Sequence, residues 1–153
     1  MGRPAFAASK SAEPVEFTLS DQNARVHVVR YPRGKVSFLV LSDRAGASQI
    51  EGWIAPVYAR YDQRVEIAGI ADLPNILPMF HALFRREFKK RLTYPVMLDW
   101  SGDVAKAFGY QKGQAQVFVI GTSGEIALKQ SGPAYAAGLA DVYRAIDQLQ
   151  SRR

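Results

Sequence analysis

The chain has 153 residues, 48% of them hydrophobic, which is enough for one continuous core and leaves no room for a second domain. Its 20 Lys and Arg against 14 Asp and Glu give a net charge of +6, which favours acidic partners, anionic surfaces or nucleic acid and also serves solubility. It contains no cysteine, so the chain itself supplies no disulfide, no thiolate metal ligand and no thiol nucleophile.

Residues 1–13 read as a flexible leader ahead of one domain spanning 14–150. The leader lacks the apolar run of a complete signal peptide, which favours a cytoplasmic location, although Ala5-Phe6-Ala7 looks like the tail of a cleavage site and leaves a trimmed exported form open. No stretch approaches the roughly 18 apolar residues needed to span a bilayer.

Phe17 to Ser20 and Arg25 to Arg30 are expected to form two short strands around a polar Asp21-Gln22-Asn23 turn. Val36 to Leu41 is almost wholly apolar and rich in strand formers, the pattern of a central strand covered on both faces. From Ile50 the period changes. Ile50, Trp53, Ile54, Val57, Tyr58 and Tyr61 recur at three and four residues, predicting a core-facing helix with Pro56 inside it.

Val65 to Ile70 predicts a second buried strand, and Leu77, Phe80, Leu83, Phe84 and Phe88 a second amphipathic helix with its phenylalanines in the core. Tyr94 to Leu98 reads as a short strand, and Asp103 to Phe108 as a short helix closed by Gly109. Val117 to Ile120 and Glu125 to Lys129 flank a glycine-bearing turn and predict a hairpin. Leu139, Val142, Tyr143, Ile146 and Leu149 mark a closing helix. Strands alternating with helices, then a hairpin and a last helix, indicate an α/β sandwich with a mixed sheet.

Several phrases in this order resemble the thioredoxin-like superfamily, in its redoxin branch of peroxiredoxin-like and thiol-disulfide exchange domains. They are Pro14 to Asp21 followed by Gly34-Lys35-Val36; Ile54-Ala55-Pro56; Val96 to Asp99 with Val104-Ala105 and Phe108-Gly109; and Phe118-Val119-Ile120 with Gly124-Glu125-Ile126. The resemblance covers about residues 14 to 150. It implies a three-layer sandwich, a mixed central sheet with flanking helices, and an N-terminal β-hairpin extension.

It also locates a redox site that has lost its chemistry. Counting back from Pro56 places the family's two cysteines at Ser48 and Glu51, with Gln49 and Ile50 between them; counting from the central strand places them at Gly46 and Gln49. The family's cis proline corresponds to Ala115, where a cis bond would cost about 2.5 to 4 kcal/mol, so a trans peptide is expected. Thiol oxidoreductase and peroxidase activity are therefore excluded for this chain.

Ser48 and Glu51 have the spacing of a capping box, which would make them a helix start and not a catalytic pair. Neither His27 nor His81 stands at a spacing that implies a triad. Asp43, Arg44, Trp53 and Gln116 are candidates to line a groove or ligand pocket beside the lost site. Arg85, Arg86, Lys89, Lys90 and Arg91 form a basic patch on the second helix, but no nucleic-acid motif accompanies it. No ligand set for a metal and no cofactor motif is present in the sequence.

Three functional readings stay open. The favoured one is a non-catalytic thioredoxin-like domain for protein binding or scaffolding, using the vestigial groove or the basic helix. The second is a non-thiol enzyme or small-ligand site built on the vestigial loop, and the third is binding of an anionic partner or nucleic acid through residues 85 to 91.

Overall fold

The computed structural model describes residues 13–152, so the leader read from the sequence, except for Glu13, lies outside the described residues. The first elements of the described residues form a two-stranded antiparallel hairpin, β1 (Phe17–Ser20) and β2 (Val26–Val29). The main sheet follows: β3 (Ser37–Ser42), β4 (Glu66–Asp72), β5 (Val96–Asp99), β6 (Gln116–Ile120) and β7 (Ile126–Ser131), in the spatial order β5-β4-β3-β6-β7. β3, β4 and β5 are parallel, whereas β6 and β7 run antiparallel to their neighbours. Every residue of β3 is buried, as expected for a central strand with both faces covered.

Among the described residues there are four α-helices: α1 (Ile50–Tyr61), α2 (His81–Arg91), α3 (Asp103–Ala107) and α4 (Ala136–Gln150). α1 and α4 cover one face of the sheet, where Trp53, Ile54, Val57 and Tyr61 pack with Val142, Ile146 and Leu149 against Phe38, Val40, Val117 and Val119. α3 and the N-terminal hairpin cover the other through Val104, Ala105, Phe108, Phe17 and Leu19. The result is a three-layer α/β sandwich with a mixed sheet and an N-terminal hairpin extension.

The outer edge of β5, whose residues are all buried, is met by Asp21, which bridges to Met97, and by a side chain acting as backbone. Gln22 accepts the Val96 N–H at 2.8 Å and donates to the Tyr94 carbonyl at 2.8 Å, so its amide pairs with β5 much as a neighbouring peptide would. An unpaired edge invites pairing with another chain, and the buried Gln22 amide removes that option locally.

The second helix departs from its expected role. The sequence predicts that Leu77, Phe80, Leu83, Phe84 and Phe88 face the core, yet α2 contributes no fully buried residue. Phe84 meets Trp100 edge-on at 6.4 Å and Phe88 packs near Leu98, while Phe80 and Leu83 point outward and are about half exposed. The reason lies beneath the helix. The strand positions it approaches include Gly69 and Ala71, which offer it little side-chain volume, and His81 stacked on Trp100 at 3.7 Å adds to the contacts of Phe84 and Phe88.

Candidate functional site

The loop from β3 to α1 and the loop before β6 meet where a thioredoxin-type site would lie. Asp43, the first residue after β3, organises this junction. Its carboxylate accepts the Gly46 N–H at 3.0 Å and the Gly113 N–H at 2.8 Å, and its own N–H donates to the Tyr110 hydroxyl at 2.8 Å. That hydroxyl in turn donates to the Gln114 carbonyl at 2.7 Å. One side chain therefore ties both loops together across 70 residues of sequence.

Burial raises the Asp43 pKa, but the N–H groups of Gly113 and Gly46, the Tyr110 hydroxyl and the charge of Lys112 outweigh it and hold the carboxyl below its ordinary value. Tyr110 moves the other way: burial is the first cause that pushes its phenol up to about 12, with the Asp43 charge adding to it. Asp43 is thus an ionised structural latch and Tyr110 a protonated donor.

The loops close on each other directly. Gln49 accepts the Ala115 N–H at 2.9 Å. Gly46 lies so near the opposing backbone that an added Cβ would stand 2.4 Å from the Gln114 carbonyl carbon and 2.7 Å from the Ala115 nitrogen. Among the described residues the cis peptide is Tyr31–Pro32, and the Gln114–Ala115 bond is trans. Gly46 and Gln49, the pair reached by counting from the central strand, are the residues that face Ala115.

Ser48 and Glu51 are both exposed. The capping box expected of them does not form: the turn Ala47–Gln49 is already a 3₁₀ helix, Gln49 occupies the cap position of α1, and no side chain caps either start. Ser48 sits inside the helical run and not before it. Ile50 is partly buried and packs against the α1 core.

Two of the expected pocket residues belong to the interior instead. Trp53 is completely buried, donates its indole N–H to the Gly132 carbonyl at 2.8 Å, and meets Tyr135 edge-on. Gln116 is also buried; it accepts the Gln111 N–H at 2.9 Å and donates to the Ser131 hydroxyl at 2.8 Å. Neither offers a surface to a ligand, because each spends its polar atoms on the fold. Arg44 does remain exposed, with its guanidinium 5.9 Å from the Phe84 ring centroid.

The basic patch is real as a surface but only partly free. Glu87 lies 3.5 Å from Arg91 and 3.9 Å from Lys90, and Arg85 is half-buried while Arg86, Lys89, Lys90 and Arg91 are exposed. Beside it stand four exposed large apolar side chains: Leu77 at 59%, Met79 at 76%, Phe80 at 45% and Leu83 at 49%. Among the described residues no group of three or more His, Cys, Asp or Glu could hold a metal ion, and no helix is long and apolar enough to cross a membrane.

The exposed lipoprotein thioredoxin of Streptococcus pneumoniae superposes with a TM-score of 0.65 at 15% identity, covering 85% of this chain and 97% of that one. A DsbF homologue from Corynebacterium diphtheriae gives 0.64 at 15% identity, with 90% and 87% covered. The chain has the thioredoxin fold. A thioredoxin-family thiol:disulfide interchange protein from Chlorobium tepidum aligns over 90% of this chain and 97% of its own, with a TM-score of 0.59 and 20% identity. No protein-family model and no curated protein sequence matches the chain. The thioredoxin fold is thus retained at an identity too low to carry function, in a chain without cysteine.

The Asp43 latch, with Tyr110 and Gly113 as its partners, was not legible as a site in the sequence. An Asp followed by Arg on a loop reads as solvated charge. The signal that distinguishes it is the pair of distant N–H groups, which only the folded chain brings near.

Proposed function

We propose that this chain is a non-catalytic thioredoxin-fold domain that binds a protein partner, and that the contact surface is the turn before α2 together with the outer face of that helix. The neighbours named as thiol:disulfide interchange proteins have a chemistry that this chain cannot perform without a thiolate. In the vestigial groove Gln49 already occupies the Ala115 N–H, so that donor is not open to a partner's backbone. Catalysis by Ser48 finds no support either: His27 is engaged with Asp21 at 2.7 Å and His81 with the Ile76 carbonyl at 3.0 Å.

The observation that carries the reading is the exposed apolar quartet Leu77, Met79, Phe80 and Leu83 next to a cluster of cations. Large apolar side chains gathered on one surface and flanked by charge are typical of a contact area. Leu83 is followed by Arg86 at i+3, so an apolar contact and a cation lie on adjacent turns of one face. The partner this suits presents apolar side chains bordered by Asp and Glu.

Photo-crosslinking from position 83 in native extract tests the proposal. A partner protein captured there, absent from a control at exposed Lys35 and lost with Arg86→Glu or at high salt, supports it. Equal capture from both positions, no capture, or tight association of the purified protein with anionic lipid vesicles overturns it.

A further inference from the structure

A cleft of about 300 Å³ opens between the loop after β3, the floor of β4 and the inner side of α2. Its walls are mostly apolar, with Ala47, Ile50, Ile70, Leu73, Phe88 and Leu92 among them. The gap follows from the sequence: Gly69, Ala71 and Ala47 supply little side-chain volume, and α2 has no fully buried residue to fill the space. Arg44 and Arg91 also line it.

The charges around the cleft are unequal. Arg44 forms no ion pair among the described residues, whereas Arg91 is drawn to Glu87 at 3.5 Å. Asp43, the acid next to Arg44, is already engaged by the N–H groups of Gly46 and Gly113. Tyr94 also lines the cleft, and burial first, then the nearby Glu51 charge, raises its phenol to about 12, so it stays a neutral donor. The Arg44 end is therefore the place where a negative group is attracted, and the remainder suits hydrocarbon.

We infer that this cleft binds a small organic anion with an apolar tail, its carboxylate at Arg44 and its tail over the Ile50, Ile70 and Leu73 side. At the roughly 30 Å³ that one water molecule takes up in the liquid, the space holds about ten water-sized groups, which suits a chain of the length of octanoate. Concave, mostly apolar sites with a few placed polar groups are the usual form of small-molecule pockets, and this volume lies at their lower limit. The inference is independent of the protein contact proposed for the outer face of α2.

Octanoate below its micellar concentration is the probe, followed by amide chemical-shift titration and calorimetry on the purified chain. The expected result is saturable one-to-one binding with shifts at Ala47, Ile50, Leu73 and Leu92. Arg44→Ala should weaken it about tenfold, as loss of one charge-assisted contact predicts, and octanol should bind correspondingly less well. Ala47→Trp, at an exposed position, should block the cleft, while Leu83→Asp should leave octanoate affinity unchanged. Failure to saturate, shifts centred elsewhere, or octanol binding as tightly as octanoate overturns the inference, whatever becomes of the proposed protein contact.

Discussion

Gln49 accepts the backbone N–H of Ala115 at 2.9 Å, so a side-chain amide holds the position where the two loops of a thioredoxin-type site face each other. Ala115 is buried, and its N–H has no water to turn to. Replacing Gln49 with Leu should therefore leave a buried donor unpaired and cost about 1–3 kcal/mol. Urea unfolding of the Gln49→Leu variant checks this; unchanged stability would mean that the contact contributes nothing net.

Gly46 should be intolerant of even one methyl group. An added Cβ meets the Gln114 and Ala115 backbone at 2.4 to 2.8 Å, and backbone atoms cannot rotate away as a flexible side chain could. Gly46→Ala should destabilise by about 1–3 kcal/mol or displace the 111–115 loop. Amide chemical shifts at Gly113 to Ala115 would reveal the displacement. Wild-type stability together with unmoved shifts would contradict the packing described.

The Asp43 latch gives a pH signature. Burial raises its pKa, but the Gly113 and Gly46 N–H groups and Tyr110 lower it further, so the folded value lies below the ordinary one. Its contribution is then fully present above the unfolded pKa and is lost as the pH falls through the folded pKa. Asp43→Asn should be less stable than the wild type at neutral pH, with the gap closing in acid below the usual carboxylate range. A gap that does not change with pH would show that charge plays no part.

Much of this architecture is written in residue spacing. β3 is uniformly apolar and is central; the three- and four-residue recurrence from Ile50 does bury Trp53, Ile54, Val57 and Tyr61. Periodicity failed at α2 because it records which side chains align, and not whether anything stands opposite them. Phe84 meets Trp100 and Phe88 packs against the cluster of Leu73, Val96 and Leu98, but Leu77, Phe80 and Leu83 stay exposed. Spacing also suggested a capping box at Ser48 and Glu51, but the chain turns helical earlier, at Ala47. The latch was hidden for a different reason: Asp43 and Gly113 are 70 residues apart, and no local rule pairs them.

Trp53 calls for a different expectation than a pocket residue would. It is fully buried and its N–H is bonded to Gly132, so Trp53→Ala should cost about 3–5 kcal/mol from lost core packing, with the unpaired carbonyl in addition. Trp53→Phe should retain most of the packing and lose the hydrogen bond, at a smaller cost. Thermal melts of the two variants separate these effects. Equal destabilisation by both would make the indole N–H, and not its volume, the dominant contribution.

Asp99 predicts the opposite pH behaviour from Asp43. It is completely buried at the end of β5 and stands opposite Asp72 in the β4 register. One of its oxygens accepts the Ala105 N–H at 2.8 Å, while Oδ1 has no partner in the described structure. Burial first, with the Asp72 charge adding to it, raises its pKa against the opposing pull of the backbone N–H groups of Ala105, Val104 and Gly102. The folded state therefore holds the proton more tightly than the unfolded one, and stability falls as the pH rises from the unfolded pKa through the folded value. Asp99→Asn keeps an acceptor for Ala105 but carries no charge, so it should be more stable than the wild type at neutral pH and nearly equal to it in acid. Urea midpoints for both proteins across that range provide the measurement. A neutral-pH loss in the variant would show instead that the Asp99 carboxylate is stabilised by a group that the raised pKa does not reflect.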